Sequence, residues 1–206
     1  VQDNGAALIV DEIYHGLVYD QEAVSSLCCG DQLFVINSFS KYYGMTGWRI
    51  GWLVMPDEYI EVANRLAQNM FLAAPTVSQY AALAALGTEA RKELIRRREI
   101  FHQRRDILLP LVEEAGFIVR TLPAGAFYIY ADCGAISDDS LKLCDDLLQQ
   151  AGVAITPGID FGSNNCKSYV RFSYANTVEN LQEGMRRIRQ SINKVRSRQN
   201  EAAQPG

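Results

Sequence analysis

The sequence predicts an α/β protein that consists of part of a large domain with a mostly parallel sheet, a long linking helix, and a smaller C-terminal α/β domain. Three observations support this fold class. Continuously apolar runs near the start are typical of strands buried on both faces of a parallel sheet. A highly charged helical stretch follows at 89–115. Beyond Gly116, short strands and helices alternate, which indicates a second, smaller layer.

The first part of the chain contains predicted strands followed by predicted helices. Hydrophobic patterning places the strands at 6–10, 33–36 and 49–55, and the helices at 57–70 and 76–86. Asp57 and Thr76 are the predicted N-caps of the two helices. Because the buried-strand pattern starts at Ala6, the sequence is expected to start inside a domain.

The second part of the chain is predicted to form a domain of its own. Its strands are expected at 117–122, 127–131, 153–156 and 169–174, and its helices at 140–150 and 177–194. The predicted boundaries are therefore 1–88 for the large-domain part, 89–115 for the interdomain helix, 116–196 for the small domain, and 197–206 for a disordered tail.

Composition argues against several classes of function. The 206 residues carry a net charge of −4, whereas a nucleic-acid-binding domain is usually basic. The apolar runs are too short to span a membrane. Five scattered cysteines and only two histidines favour reduced thiols in a cytoplasmic protein over disulfides, and no metal site is expected.

Polar residues follow the predicted strands at the point where ligands bind open parallel sheets, beyond the carboxyl ends of the strands. Asp11 and Tyr14 follow the first strand, and Ser38, Ser40 and Lys41 follow the second. Arg49 lies in the return loop that leads to the third strand. The pattern therefore brings an acid, a phenol, hydroxyls, an amine and a guanidinium to one region.

This combination suits a cofactor that has an aldehyde, a pyridine ring and a phosphate. A lysine such as Lys41 forms a Schiff base with an aldehyde when its amine loses its proton. An aspartate keeps a pyridine nitrogen protonated, so that the ring withdraws electrons from a carbanion. A tyrosine hydroxyl can bond the ring oxygen, while serine hydroxyls and an arginine suit a phosphate.

Ordered sequence motifs extend beyond these residues. They are Asp-Glu-Ile-Tyr at 11–14, Ser-Phe-Ser-Lys at 38–41, Gly-Trp-Arg-Ile-Gly at 47–51, Leu-Pro-Ala-Gly-Ala-Phe-Tyr at 122–128, Gly-Val-Ala-Ile-Thr-Pro-Gly at 152–158, and Tyr-Val-Arg-Phe-Ser-Tyr-Ala at 169–175. In this set the chain resembles the class I/II pyridoxal-phosphate-dependent aminotransferases of fold type I. The offset from Lys41 to Arg49 is also the one found in that family.

The resemblance implies a role for each matching residue. Lys41 would carry pyridoxal 5′-phosphate and move the proton between the substrate Cα and the cofactor. Asp11 would pair with the pyridine nitrogen and Tyr14 with the ring hydroxyl oxygen. The phosphate would be held by Ser38, Ser40 and Arg49, and the substrate α-carboxylate by Arg171. Phe127 and Tyr128 are predicted to pack in the core rather than contact substrate.

The resemblance covers only the second half of a family member. The glycine-containing phosphate turn, the ring-stacking aromatic residue and the asparagine that the family carries upstream of Asp11 do not occur in this chain. The chain is therefore expected to be inactive on its own. A complete family member is expected to be a cytoplasmic homodimer that moves an amino group between an L-amino acid and a 2-oxo acid.

Two alternative functions are compatible with the same motifs. One is a pyridoxal-phosphate-dependent lyase of this fold that cleaves a C–S or related bond, since the same lysine and ring serve both reactions. The other is the ligand-sensing, aminotransferase-like domain of a transcription regulator, with a DNA-binding domain upstream. The segment Met45–Arg49 is more similar to the transaminase subgroup.

Overall fold

The computed structural model describes residues 4–202, with side chains through Lys194. It divides into two compact units, which are considered separately below. Unit 1 comprises Val1–Glu99 together with Ala124–Ala126, and unit 2 comprises Ile100–Pro123 together with Phe127–Gly206. The boundary falls inside the predicted linking helix, so that each unit contains part of that helix. Both units contain helices and a sheet, which confirms the predicted α/β class.

Unit 1 is built on a three-stranded sheet with the order β1–β2–β3. Its strands are β1 (Ile9–Asp11), β2 (Phe34–Ser38) and β3 (Gly51–Val54). β1 and β2 are parallel, and Asp11 lies opposite Ile36. β3 runs antiparallel to β2, with Ser38 opposite Gly51, so the predicted sheet is only partly parallel.

The direction of β3 follows from the connection before it. A parallel neighbour requires a crossover, usually through an α-helix, whereas the segment between β2 and β3 contains only a 3₁₀ turn at Thr46–Trp48. The start of β3 therefore lies beside the carboxyl end of β2. As a result, Arg49 is placed near Ser38, which a parallel third strand would not have done.

The helices of unit 1 lie close to their predicted positions. They are α1 (Ile60–Met70), α2 (Thr76–Ala85) and the first part of α3 (Thr88–Glu114). Asp57 is not the N-cap of α1, because Asp57–Tyr59 form a 3₁₀ turn before it, and Pro75 rather than Thr76 occupies the N-cap position of α2. α3 continues through Pro110, although proline cannot donate the backbone hydrogen bond of its turn.

Unit 2 contains a fully antiparallel sheet with the order β4–β6–β5. Its strands are β4 (Tyr128–Asp132), β5 (Thr156–Pro157) and β6 (Tyr169–Ser173). The strand predicted at 117–122 is reduced to an isolated bridge between Ile118 and Asp132. The strand predicted at 153–156 begins only at Thr156, because the preceding segment follows the left-handed end of a helix at Gly152.

Besides the second part of α3, two further helices lie in unit 2. α4 (Ser140–Ala151) begins at the N-cap Asp139, whose carboxylate accepts hydrogen bonds from two backbone amides of the first turn. α5 (Val178–Ala202) continues past Ser197, where the tail was predicted to begin, because the residues there are mostly good helix formers. The last part of the predicted tail, 203–206, lies outside the described residues. No helix in residues 4–202 is long and apolar enough to cross a membrane.

Candidate active site

Asp11 ends β1 and presents an exposed carboxylate. Its Oδ1 accepts a hydrogen bond of 3.0 Å from the backbone N–H of Ile13. This local bond is an aspartate turn, which bends the chain as it leaves the strand. Since the parallel ladder holds Asp11 opposite Ile36, the carboxylate is placed at the edge where β2 also ends.

Glu12, the next residue, is a charged residue of the motif whose role the sequence did not reveal. It is only 4% exposed. Burial by itself raises the pKa of Glu12, but hydrogen bonds from the backbone and hydroxyl of Ser26 and the hydroxyl of Ser25, together with the nearby His15, outweigh burial and lower it. Glu12 is therefore a buried, ionised carboxylate immediately beside Asp11.

Tyr14 and Lys41 lie on segments that touch each other. A Cβ atom at Gly16 would lie 2.1 Å from Cγ of Tyr42, so the backbone of Gly16 rests directly against that ring. Only glycine permits such an approach. Because Tyr42 follows Lys41 and Gly16 follows Tyr14 closely, the predicted cofactor lysine and the predicted ring-oxygen partner lie on adjacent segments. Both side chains are half-buried.

The two predicted phosphate-binding serines are in contact. Their Oγ atoms are 2.9 Å apart, and the backbone N–H of Ser40 donates to Oγ of Ser38 over 3.0 Å. The Ser38 hydroxyl also reaches the carbonyl oxygen of Ile50 at 3.2 Å. Oγ1 of Thr46 donates to the carbonyl oxygen of Ser40 over 2.6 Å. The loop from Ser38 to Arg49 is thus held by its own hydrogen bonds.

Arg49 completes this loop in an unusual backbone conformation. Its φ is +51°, in the left-handed region that non-glycine residues seldom adopt and that is often found at functional sites. The guanidinium donates to the carbonyl oxygen of Thr46 over 3.0 Å and is exposed. Within residues 4–194 it forms no ion pair. Its positive charge is therefore not neutralised by a carboxylate within these residues.

Arg171 lies in unit 2, on β6 opposite Tyr130 and Thr156. Its guanidinium carbon is 4.0 Å from the ring centroid of Tyr128 and 4.3 Å from that of Phe161. The planar group is thus held between two aromatic rings, an arrangement in which both contacts are attractive.

The guanidinium of Arg171 retains hydrogen-bond donors that the two rings do not occupy. The buried Nε of Arg171 has no hydrogen-bond partner within the described part of the chain, and the guanidinium forms no ion pair there. An arginine in this state suits a planar carboxylate. Of the two aromatic residues predicted to pack in the core, Phe127 stacks on Phe101, with ring centroids 5.6 Å apart, whereas Tyr128 supports Arg171 instead. The rings of Phe127 and Tyr128 also contact each other, with centroids 4.4 Å apart.

Comparison with known proteins decides the family. The family model described as aminotransferase class I and II matches residues 1–188. The chain belongs to the class I and II aminotransferases. This finding confirms the resemblance that was carried by the motifs between Asp11 and Ala175.

Aminotransferases of several names are similar to this chain. The (5-formylfuran-3-yl)methyl phosphate transaminase of Methanocaldococcus jannaschii is 43% identical over 195 residues, which cover 93% of this chain and 51% of the relative. The valine–pyruvate aminotransferase of Mycobacterium tuberculosis is 43% identical over 185 residues, or 88% of this chain and 47% of the relative.

Solved structures give the same result. The crystal structure of an aminotransferase from Mycobacterium tuberculosis is 39% identical with a TM-score of 0.89, and the match covers 94% of this chain and 50% of that one. The aromatic aminotransferase from Pyrococcus horikoshii matches at 30% identity with a TM-score of 0.88, over 95% of this chain and 53% of that one. The chain therefore spans about half the length of these aminotransferases.

Proposed function

We propose that the complete protein containing this chain is a pyridoxal-phosphate-dependent aminotransferase, which moves an amino group between an L-amino acid and a 2-oxo acid. The observation that carries the proposal is the contact between Gly16 and Tyr42. It places the segment that bears Asp11 and Tyr14 beside the segment that bears Lys41. The relatives are named for different substrates, so the proposal specifies the substrate class.

The side chains of unit 1 fit pyridoxal 5′-phosphate by their chemistry. The hydroxyls of Ser38 and Ser40 and the exposed guanidinium of Arg49 are suitable donors for a phosphate. Asp11 supplies the carboxylate for the pyridine nitrogen, and Tyr14 the hydroxyl for the ring oxygen. When bound, the cofactor withdraws electrons from the substrate Cα, which makes its proton removable.

Lys41 has two roles in this proposal. Its amine would hold the cofactor before the substrate binds. When it is not holding the cofactor, the same amine would accept the proton from the substrate Cα and later return a proton, which is general acid–base catalysis by a correctly placed group. Both roles require the neutral form of the amine.

Arg171 is proposed to bind the α-carboxylate that amino acids and 2-oxo acids share. Two parallel N–H donors of the guanidinium match the two oxygens of a carboxylate. The rings of Tyr128 and Phe161 hold the guanidinium plane in one orientation, so little side-chain freedom remains to be lost on binding. The residue therefore recognises the substrate class and leaves the choice of amino acid to other groups.

The proposal also covers the state of the protein. We expect a cytoplasmic homodimer, and we expect residues 1–206 alone to be inactive. The inactivity follows from the family resemblance, because the upstream phosphate turn, ring-stacking aromatic residue and asparagine do not occur in this sequence. Free thiols at all five cysteines agree with a reducing compartment.

Borohydride reduction tests the assignment directly. In the complete protein loaded with pyridoxal 5′-phosphate, reduction followed by peptide mapping should find the cofactor on Lys41. The exposed Lys142, which pairs with Asp146 on the surface of unit 2, supplies a control, and Lys142→Arg should leave labelling unchanged. A label on Lys142, Lys167 or another lysine would overturn the assignment of Lys41.

A further inference from the structure

Glu12 is a buried, hydrogen-bonded carboxylate near the candidate site, and it has no role in the proposed reaction. Its residue is 4% exposed, whereas carboxylates are seldom buried unless they are paired. It stands between Asp11, the proposed partner of the pyridine nitrogen, and the turn that carries Tyr14. The role of this buried charge therefore requires a separate explanation.

The carboxylate of Glu12 gathers donors from a second part of the chain. Oε1 accepts from the backbone N–H of Ser26 and from its Oγ, each over 2.7 Å. The hydroxyl of Ser25 lies 3.1 Å from Oε1 and 3.0 Å from Oε2. Nδ1 of His15 is 3.2 Å from Oε2. Both oxygens are thus occupied, and bonds to a charged acceptor are stronger than those between neutral groups.

The backbone of Glu12 is fixed to the sheet at the same time. Its N–H donates to the carbonyl oxygen of Ile36 over 2.8 Å, which continues the ladder between β1 and β2. Its carbonyl oxygen accepts from the N–H of His15 over 3.0 Å, and that of Tyr14 accepts from Leu17 over 2.8 Å. The turn that bears Tyr14 is therefore joined to the sheet through the backbone of Glu12, and to the segment at Ser25 and Ser26 through its side chain.

We propose that Glu12 is a positioning residue, whose buried carboxylate ties the turn after β1 to Ser25 and Ser26 and so fixes Asp11 and Tyr14 toward the cofactor. This inference rests on the proposed function. Glu12 touches neither substrate nor cofactor in this role. It acts because small displacements of groups that face a reacting centre reduce the rate strongly, about 10²-fold for 1 Å.

The experiment uses Glu12→Ala and Glu12→Gln in the complete protein. Glu12→Ala removes every side-chain bond, and we expect kcat per bound cofactor to fall about 10²-fold while KM changes little, since Arg171 is untouched. Glu12→Gln keeps an oxygen acceptor for Ser26 but loses the charge, so its loss should be smaller. The visible circular dichroism of the bound cofactor should change more in Glu12→Ala than in Glu12→Gln, because it reports the orientation of the ring.

Controls separate positioning from a general loss of stability. Glu61→Ala removes an exposed carboxylate of α1 that pairs with Arg65, and it should retain wild-type kcat and spectrum. Ser26→Ala removes one partner of Glu12 and should reproduce the spectral change to a smaller degree. If Glu12→Ala does not fold, Glu12→Gln and Ser26→Ala carry the test, because each weakens the same anchor.

The outcomes distinguish this inference from the proposal on which it rests. Wild-type kcat and dichroism in Glu12→Ala or Glu12→Gln would overturn the positioning role and leave the aminotransferase assignment intact. A change confined to KM, or one that disappears when rates are expressed per folded, cofactor-loaded molecule, would also overturn it. A wild-type protein that neither binds the cofactor nor transaminates would instead overturn the proposed function.

Discussion

Apolar residues on the strands of the two units differ strongly in how exposed they are. In unit 2, Ile129 on β4 and Val170 on β6 are both 0% exposed. In unit 1, Ile9 on β1 is 64% exposed and Leu53 on β3 is 45% exposed. Both sheets have three strands and comparable apolar residues, so the difference lies in what packs on them. Both units have a core, but unit 1 has fewer buried apolar residues than unit 2.

The helices show the same difference. α1 contains no buried residue, and several large apolar side chains on or near α1 and α2 are more than half exposed, namely Leu66, Met70, Phe71, Leu72, Val77, Tyr80 and Leu83. Large apolar side chains are usually exposed in such numbers only where another surface covers them. The proposed cofactor residues thus lie in the unit with more exposed apolar side chains, and the proposed substrate arginine lies in the unit with fewer.

The largest expected effect is the loss of turnover when Asp11 of unit 1, the proposed partner of the pyridine nitrogen, is replaced. Asp11→Ala in the complete protein is expected to lower turnover by several orders of magnitude while cofactor binding is partly retained, because the ring loses its protonated nitrogen. Steady-state kinetics of the cofactor-loaded enzyme measure this. The exposed Asp31 gives the matched control Asp31→Ala, which should be unaffected. Turnover of Asp11→Ala within about tenfold of wild type would contradict the assignment.

The packing comparison is tested by truncating one apolar side chain in each unit. Phe172 on β6 is 3% exposed, and Phe172→Ala should lower the free energy of unfolding by about 3–5 kcal/mol. Leu66 on α1 is 57% exposed, and Leu66→Ala should lower the free energy of unfolding by no more than about 0.5 kcal/mol. Denaturant unfolding followed by far-UV circular dichroism measures both. Equal costs would show that unit 1 is better packed than its exposure indicates.

The division of tasks between the units is tested at Arg171. Arg171→Lys should weaken binding of amino acids and 2-oxo acids by about 2–5 kcal/mol, because an ammonium cannot form the paired bonds of a guanidinium. Cofactor absorbance and affinity should not change, since Asp11, Lys41 and Arg49 remain. Arg120→Lys, at an exposed ion pair of the same unit, is the control. If cofactor binding fell while substrate affinity held, Arg171 would serve the phosphate or the fold instead.

The smallest expected effect concerns acid stability. Hydrogen bonds lower the folded-state pKa of Glu12 in unit 1, and the Gly134 amide and Arg120 lower that of Asp132 in unit 2. Each carboxylate therefore contributes stability that is fully present above its unfolded-state pKa and is lost as the pH falls through the lower folded-state pKa.

Unfolding free energies measured from neutral pH into the acid range test this expectation. Glu12→Gln and Asp132→Asn should each make stability less dependent on pH, because neither amide titrates. An unchanged dependence in Glu12→Gln would mean that the pKa of Glu12 is the same in the folded and unfolded chains. The same result in Asp132→Asn would assign the acid sensitivity of unit 2 to other groups.

The sequence predicts the elements of this fold better than their arrangement. Apolar runs locate β1 and β2, and helical periodicity locates α2 and α3 within a few residues, because both signals are local. The direction of β3 was missed because it depends on the conformation of the loop before it. The strand expected at 117–122 was missed because a strand requires a neighbour, and there the chain finds only one bridge.

The candidate site shows the same limit. The sequence identifies Lys41 and Arg49 from their motifs, and these residues lie on a loop that is ordered by its own bonds. It does not identify Glu12, because a carboxylate at the end of a strand looks alike whether solvent or serines surround it. Nor does it show that Tyr128 supports Arg171, since an aromatic residue at the start of a strand usually packs in a core.

The left-handed backbone at Arg49 has a consequence for the rate and entropy of ligand binding. Glycine would adopt this φ at no steric cost, but it would bring more disorder to the loop and no charge. The chain instead carries arginine there, and the hydroxyl of Ser78 bonds the carbonyl oxygen of Trp48 over 2.6 Å just before it. If the proposed site is correct, a phosphate would meet donors that are already in place, and its association would require little rearrangement and little loss of chain entropy.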